Sequence, residues 1–270
     1  MESQYAKLVS VKGPRIVAGS FNRFKRDVDF NNRKLRLAIN LAVDREEIVN
    51  RGYHGYAHQL PAMTPPWAFD YPDDLSPRPY DPNQARKLLK EAGWPNKRPL
   101  QIATTKEFKK IANLIAPQIQ KALGISVNVT VIPQEEEVKW KRVIAEKKLV
   151  PAFDIFLATE NALFYEGTPA FFHREFFGEN GALRIGPEIP EFNEWFKKMA
   201  AETDLTKLKE VAKDIDRYVY HEALGLFLCS PDELYAVNRH VKFRPYRTTF
   251  ELADTEVSKE HWSIKLNNKF

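Results

Sequence analysis

The sequence predicts an α/β protein, a mixed and mostly parallel sheet flanked by helices. Three observations carry this. Between residues 99 and 158, β-rich runs alternate with amphipathic helical ones, the order that builds a largely parallel sheet. Acids precede, and glycines follow, several of the apolar-periodic stretches, which marks helix ends. The 270 residues are 43% hydrophobic and 29% charged, a globular profile with enough apolar matter for a substantial core.

Taken in order, "YAKLVSV" and "RIVAGSF" read as two short strands separated by a turn at Gly13-Pro14. Leu35, Ala38, Ile39 and Ala42 then fall on one helical face, predicting a helix over 33–42. Asp44 stands as the N-cap of a second helix over 45–51, and Glu47 completes a capping box three residues on. Residues 52–80 hold six prolines and little periodicity, so they form a long irregular segment; Tyr53, Tyr56, Trp67, Phe69 and Tyr71 predict that it is packed. In "YDPNQARKLLKEAGW", Asp81 caps, Pro82 takes the first helical position and Gly93 ends the helix.

"PLQIATT" is a strand, and "KEFKKIANLIAPQIQKALG" a helix that Pro117 should kink or split. "ISVNVTVI" alternates as a strand does, "EEEVKWKRVIAEKKL" is helical and "FDIFLA" is again a strand. Residues 159–190 are irregular and aromatic. Helices follow near 190–202 and 204–224, then two strands, "GLFLCS" and "DELYAVN". The last thirty residues show no clear pattern.

Composition excludes several classes. No run of about 18 apolar residues exists, so no membrane-spanning helix is expected. The first residues lack the basic start and apolar stretch of a signal peptide. The lone Cys229 cannot form an internal disulfide and reads as a small buried hydrophobe. The net charge is +5, and residues 1–51 alone carry 11 Lys/Arg against 6 Asp/Glu. These bases are dispersed among apolar positions, which predicts a solvated surface and no nucleic-acid partner. The sequence has no G-x-S-x-G, no H-E-x-x-H and no glycine-rich phosphate loop, so no enzyme activity is expected. His54 and His58 have helical metal-ligand spacing, but Gly52 and Gly55 oppose a helix and no third ligand clusters with them. Neither metal nor cofactor is expected.

Two stretches carry a resemblance. Arg36, Ala38, Asn40, Ala42, Asp44 and Arg45 meet the first part of a fingerprint. Tyr80, Asp81, Pro82, Ala85, Leu88, Leu89, Ala92 and Gly93 meet the second. In that order and separation they resemble the family 5 extracellular solute-binding proteins, the dipeptide-, oligopeptide- and nickel-binding components of ATP-driven importers. A weaker match continues through "IQKALGISVNVTVIP", "FDIFLA" and "VAKDIDRYVYHEALGLFLCS", and covers most of residues 20–240.

The resemblance implies a periplasmic-binding-protein-like lobe. Residues 1–20 would be strands linking to a first lobe missing from this chain, 21–229 the second ligand-binding lobe, and 230–270 a segment returning toward the first. It implies hinge closure on a peptide or similar small solute, delivery to a membrane permease, and a parent protein outside the cytoplasm. The other reading of the same lobe is the sensory module of a cytoplasmic regulator.

Peptide-binding members hold the ligand's α-amine with a carboxylate after the strand matching "FDIFLA". Glu160 takes that position, between Thr159 and Asn161, but Glu replaces Asp and the flanking aromatics are absent. The extra methylene moves the charge by about 1.5 Å. Glu160 is thus either a ligand group or a solvated loop carboxylate. Trp67, Tyr71 and Phe164 either line the cleft or pack their segments onto their own lobe.

Overall fold

The computed structural model describes residues 3–161, 172–247 and 249–267. Seven strands form one sheet in the order β1-β7-β2-β6-β4-β5, with β3 also on β7. They are β1 (Ala6–Lys12), β2 (Arg15–Phe21), β3 (Ala57–Gln59), β4 (Leu100–Thr105), β5 (Val127–Ile132), β6 (Ile155–Asn161) and β7 (Gly225–Asn238). β4 pairs parallel with both β5 and β6, as the strand–helix alternation predicts. The pairs of β2 with β6 and of β7 with β1, β2 and β3 are antiparallel. The sheet is therefore mixed, with β4, β5, β6 and β7 pointing one way.

Strand alternation sends successive side chains to opposite faces. Val17, Phe21, Ile102, Ile155, Leu157, Leu226 and Leu228 face a core shared with α1 (Arg33–Leu41), α3 (Pro82–Ala92) and α4 (Lys109–Leu123). On the other face Ile16 and Phe227 join a core with α6 (His173–Phe177), α7 (Glu191–Ala201) and α8 (Leu205–His221). Ala103, Ile132 and Phe156 join a third with α5 (Gln134–Ala145). A separate ribbon, β8 (Val241–Lys242) with β9 (Glu256–Val257), and α9 (Trp262–Asn267) follow in the patternless tail.

Several expectations change. Gly13-Pro14 is not a reversing turn, because β1 and β2 run in the same sense along β7: Lys12 faces Asp232 and Val17 faces Cys229. The chain advances through a local irregularity there. A Cβ at Gly13 would lie 2.1 Å from the Pro231 carbonyl oxygen, so only glycine fits. "GLFLCS" and "DELYAVN" are one strand, running straight through Pro231. Pro231 sits where the ladder to β2 gives way to the ladder to β1, a place that tolerates a missing N–H.

α4 runs unbroken through Pro117. An interior proline costs about 3 kcal/mol. Burying Ile111, Ile115 and Ile119 on the sheet offsets it, at about 2 kcal/mol or more per side chain.

Asp44 does cap α2 (Arg45–Glu47), accepting from the Glu47 N–H at 3.1 Å. The capping box is not closed by Glu47, however. The Asp44 N–H donates to Gln118 Oε1 at 2.9 Å, and Gln118 Nε2 donates to Glu47 at 2.8 Å, so a side chain from α4 completes the cap. The predicted second helix passes after Glu47 into a π-helical turn, Ile48–Gly52.

The first fingerprint is scaffolding. Arg45, 3% exposed, donates through Nε to Phe227 O at 2.7 Å, and through its other nitrogens to Asn40 O, Val43 O and Asn40 Oδ1. Arg36 holds the carbonyls of Phe30, Asn31, Glu222 and Ala223. Arg36 ties the segment before α1 to the α8–β7 junction, and Arg45 ties the end of α1 to β7. Asp154, fully buried at the entry to β6, accepts two bonds of 2.7 Å from Arg98 and one of 2.8 Å from the Gln101 N–H, which locks β6 beside β4.

Candidate functional site

The end of the sheet where β6 finishes gathers charge. Register places Thr159, Glu160 and Asn161 opposite Val17, Ile16 and Arg15. The backbone of these three β6 residues is described and their side chains are not; Phe164 lies outside the described residues. Arg15 ion-pairs with Glu107 at 2.5 Å and with Glu233 at 3.3 Å. Ser230 Oγ donates to Arg15 O at 2.6 Å, tying β7 to β2 at this point. Arg15, Val17, Tyr53, Glu107, Phe108 and Pro231 line a small cavity there. Burial pushes the Tyr53 hydroxyl up, so it is a neutral hydrogen-bonding group.

Trp67 stands close by, along β7. Its ring meets His58 edge-on at 5.6 Å, with Lys12 Nζ at 5.9 Å and the Arg247 guanidinium at 5.6 Å from its centre. His58 Nε2 lies 3.2 Å from Asp232 Oδ1, and Lys12 faces Asp232 across the β1–β7 ladder. Trp67 therefore both packs its proline-rich segment and presents an aromatic among cations at the exit of the long strands. Tyr71 is placed differently. It answers to Asp73 and Asp216 on the α8 side, and burial first, then those acids, push its hydroxyl up.

His54 is exposed, with a backbone φ of 54° that breaks helical spacing to His58. Among the described residues no group of three potential metal ligands comes together. Cys229 is buried, and its thiol is pushed up to about 12 by burial, which leaves it unreactive. The arrangement at the β6 end can pair charges, donate from backbone and stack on an indole. These are means of binding a small polar solute.

Arg15, Glu107, Asp232 and Glu233 escaped the sequence reading. Arg15 and Glu107 are 92 residues apart, and only the sheet register brings them together. The one local signal was Arg15 directly after Gly13-Pro14, at the start of a strand.

The family model of the bacterial extracellular solute-binding proteins, family 5 (middle region), matches residues 3–181. Heme-binding protein A of Haemophilus influenzae is 33% identical over 129 residues, 45% of this chain and 23% of that protein. Glutathione-binding protein GsiB of Escherichia coli K12 is 45% identical over 67 residues, 25% of this chain and 13% of that protein.

Among solved structures, the substrate-binding protein CtaP of Listeria monocytogenes superimposes with a TM-score of 0.79 at 16% identity, over 94% of this chain and 52% of that one. The binding protein DppA of Helicobacter pylori, in complex with the peptide STSA, gives 0.71 at 22% identity, over 89% and 46%. Identities this low establish the fold alone. The chain spans about half the length of these two structures, and its matches cover less than a quarter of the two curated relatives. With the family model matching well over half of its residues, the chain belongs to the family 5 bacterial extracellular solute-binding proteins.

Proposed function

We propose that this chain is the second lobe of a two-lobed solute-binding protein. It captures a peptide or similar small solute by hinge closure and delivers it to the permease of an ATP-driven importer. The observation that carries the reading is the family match across residues 3–181, on a fold shared with peptide-binding structures. The paired strands β1 and β7 extend beyond the sheet's helical layers and would serve as the link between lobes, with 230–270 returning toward the first. Glu160, with Thr159, Asn161 and Trp67, would face the solute from this side, and Arg15 with Glu107 would frame it. A parent protein outside the cytoplasm follows from the same reading, and the family match favours transport over a regulator's sensory module. The relatives are binding proteins, which supports a function without catalysis.

The test is titration calorimetry of the two-lobed protein carrying this chain, against libraries of short peptides and nickel–histidine complexes. At least one should bind with a Kd of about 10 μM or tighter. The chain alone should bind the same solute at least about a hundredfold more weakly, because half of the cleft wall is gone. No binding by any library member, or equal affinity for the chain alone, would overturn the reading.

A further inference from the structure

On the sheet face opposite α1 and α4, the helical cover has a gap among the described residues. α5 closes one side with Lys141 and Ile144, and α6 closes the other with Phe176 and Phe177. Ala18, Ser20, Ala158 and Gly225 make the floor, so small side chains leave the middle of the sheet uncovered. The crevice holds about 900 Å³ counting its open mouth. It lies over β2, β6 and the start of β7 as far as Ile16, on the face opposite that of Val17.

Its lining contains one feature that an apolar crevice does not need. Arg23 is 6% exposed, and its guanidinium lies 5.6 Å from the centre of the Phe177 ring. Gly186 lets it lie flat, since a Cβ there would stand 2.5 Å from the Arg23 Cβ and 2.8 Å from Nε. Among the described residues the guanidinium has one acceptor, Pro187 O, and no carboxylate within ion-pair distance. Burial first, then the cationic Arg36 and Arg184, lower its pKa to about 10, with Tyr218 opposing. Among the described residues Arg184 likewise bonds only to carbonyls, those of Gly186 and Glu179. By contrast Arg98 and Arg217 each take two carboxylate partners. A buried cation without a counter-ion is costly, and a guanidinium with free N–H groups fits a carboxylate in two-pronged fashion.

We propose that this crevice is a second binding site, for an amphipathic carboxylate: an alkyl chain laid along the small-residue floor with its acid group on Arg23. The narrow walls of Ile144, Phe177 and Ile185 suit an extended chain; Lys141, at the rim, is neutralised by Glu137 at 2.8 Å and leaves Arg23 as the acid's partner.

The experiment titrates the full chain with decanoate and with decan-1-ol, followed by calorimetry. Decanoate should bind, and more tightly than the alcohol by about tenfold or more. Arg23→Gln should remove that difference and leave the alcohol within about twofold. Ala158→Leu, which fills the floor and keeps Arg23, should weaken both ligands by about tenfold or more. Circular dichroism checks that each variant is folded, and if Arg23→Gln is not, Ala158→Leu decides the question. Absence of decanoate binding, equal affinity for acid and alcohol, or decanoate binding untouched by Ala158→Leu would each overturn the proposal.

Discussion

Arg45→Met should lower the unfolding free energy by about 3–5 kcal/mol, read as a shift of the urea midpoint by circular dichroism. The guanidinium reaches four acceptors: Phe227 O, Asn40 O, Val43 O and Asn40 Oδ1. Methionine keeps the stem and fills most of the volume, so packing is largely preserved. What is lost is satisfaction, since buried carbonyls left without a donor cost about 1–3 kcal/mol each. Lysine should rescue little, because one ammonium cannot span acceptors on both α1 and β7. A loss below about 1 kcal/mol would show that Arg45 is not what joins these elements. Against a usual total of about 5–15 kcal/mol, the expected loss is a large share of the whole.

Asp70→Asn should do the reverse, and the gain should depend on pH. Asp70 is fully buried in the segment before α3, and neither carboxyl oxygen has a partner among the described residues. Burial, and then the charge of Asp216, push its pKa up to about 7, opposed by the residue's own backbone N–H and then by Lys209 and Lys213. Next to it in this buried region, His173 Nε2 lies 2.9 Å from Asp216 Oδ1, so Asp216 already has a partner and Asp70 does not.

The folded state therefore holds a proton that the unfolded chain releases near the ordinary value of 3.8. Stability falls as pH rises through the window from about 4 to about 7, and the penalty is complete above it. At about 1.4 kcal/mol per unit, the ceiling is about 4 kcal/mol. Asparagine keeps the shape without the charge. The variant should match the parent near pH 4 and exceed it by about 2–4 kcal/mol near pH 8, measured by urea unfolding across that range. A difference that does not change with pH would contradict the assignment.

The elements that read well from sequence are those whose causes are local. α3 has its cap acid, its N1 proline and its terminal glycine within thirteen residues. The structure shows Asp81 accepting from Asn83 and Gln84 and Gly93 at φ 78°. The parallel half of the sheet also followed from order alone. Failures came where the cause is distant. Pro231 and Gly13 look like breaks until each is seen against the other's strand, where one removes a donor and the other admits a carbonyl. Glu47 looked like half of a capping box until Gln118, 71 residues on, took its place. α6 is five residues long, and its buried His173 is held by Asp216 from α8, which no local pattern announces.

The site divides the same way. The proposal of Glu160 came from the resemblance, at the position after "FDIFLA", and that of Trp67 from its proline-rich segment. The ion pairs of Arg15 and the charge around Trp67 arise from register, not spacing. Arg36 and Arg45 carried the fingerprint, yet their work is to bind carbonyls. A recognisable motif here marks the scaffold, and the proposed binding groups lie elsewhere on it.

The proposed function places solute capture at the β6 end of the sheet. Hydrogen–deuterium exchange on the two-lobed protein, with and without the solute found by calorimetry, tests it directly. Solute should slow exchange at residues 15–17, 159–161 and 230–233 by about tenfold or more, and leave α3 and α5 unchanged. Protection confined to other parts of this lobe, with those three segments unaffected, would contradict the claim.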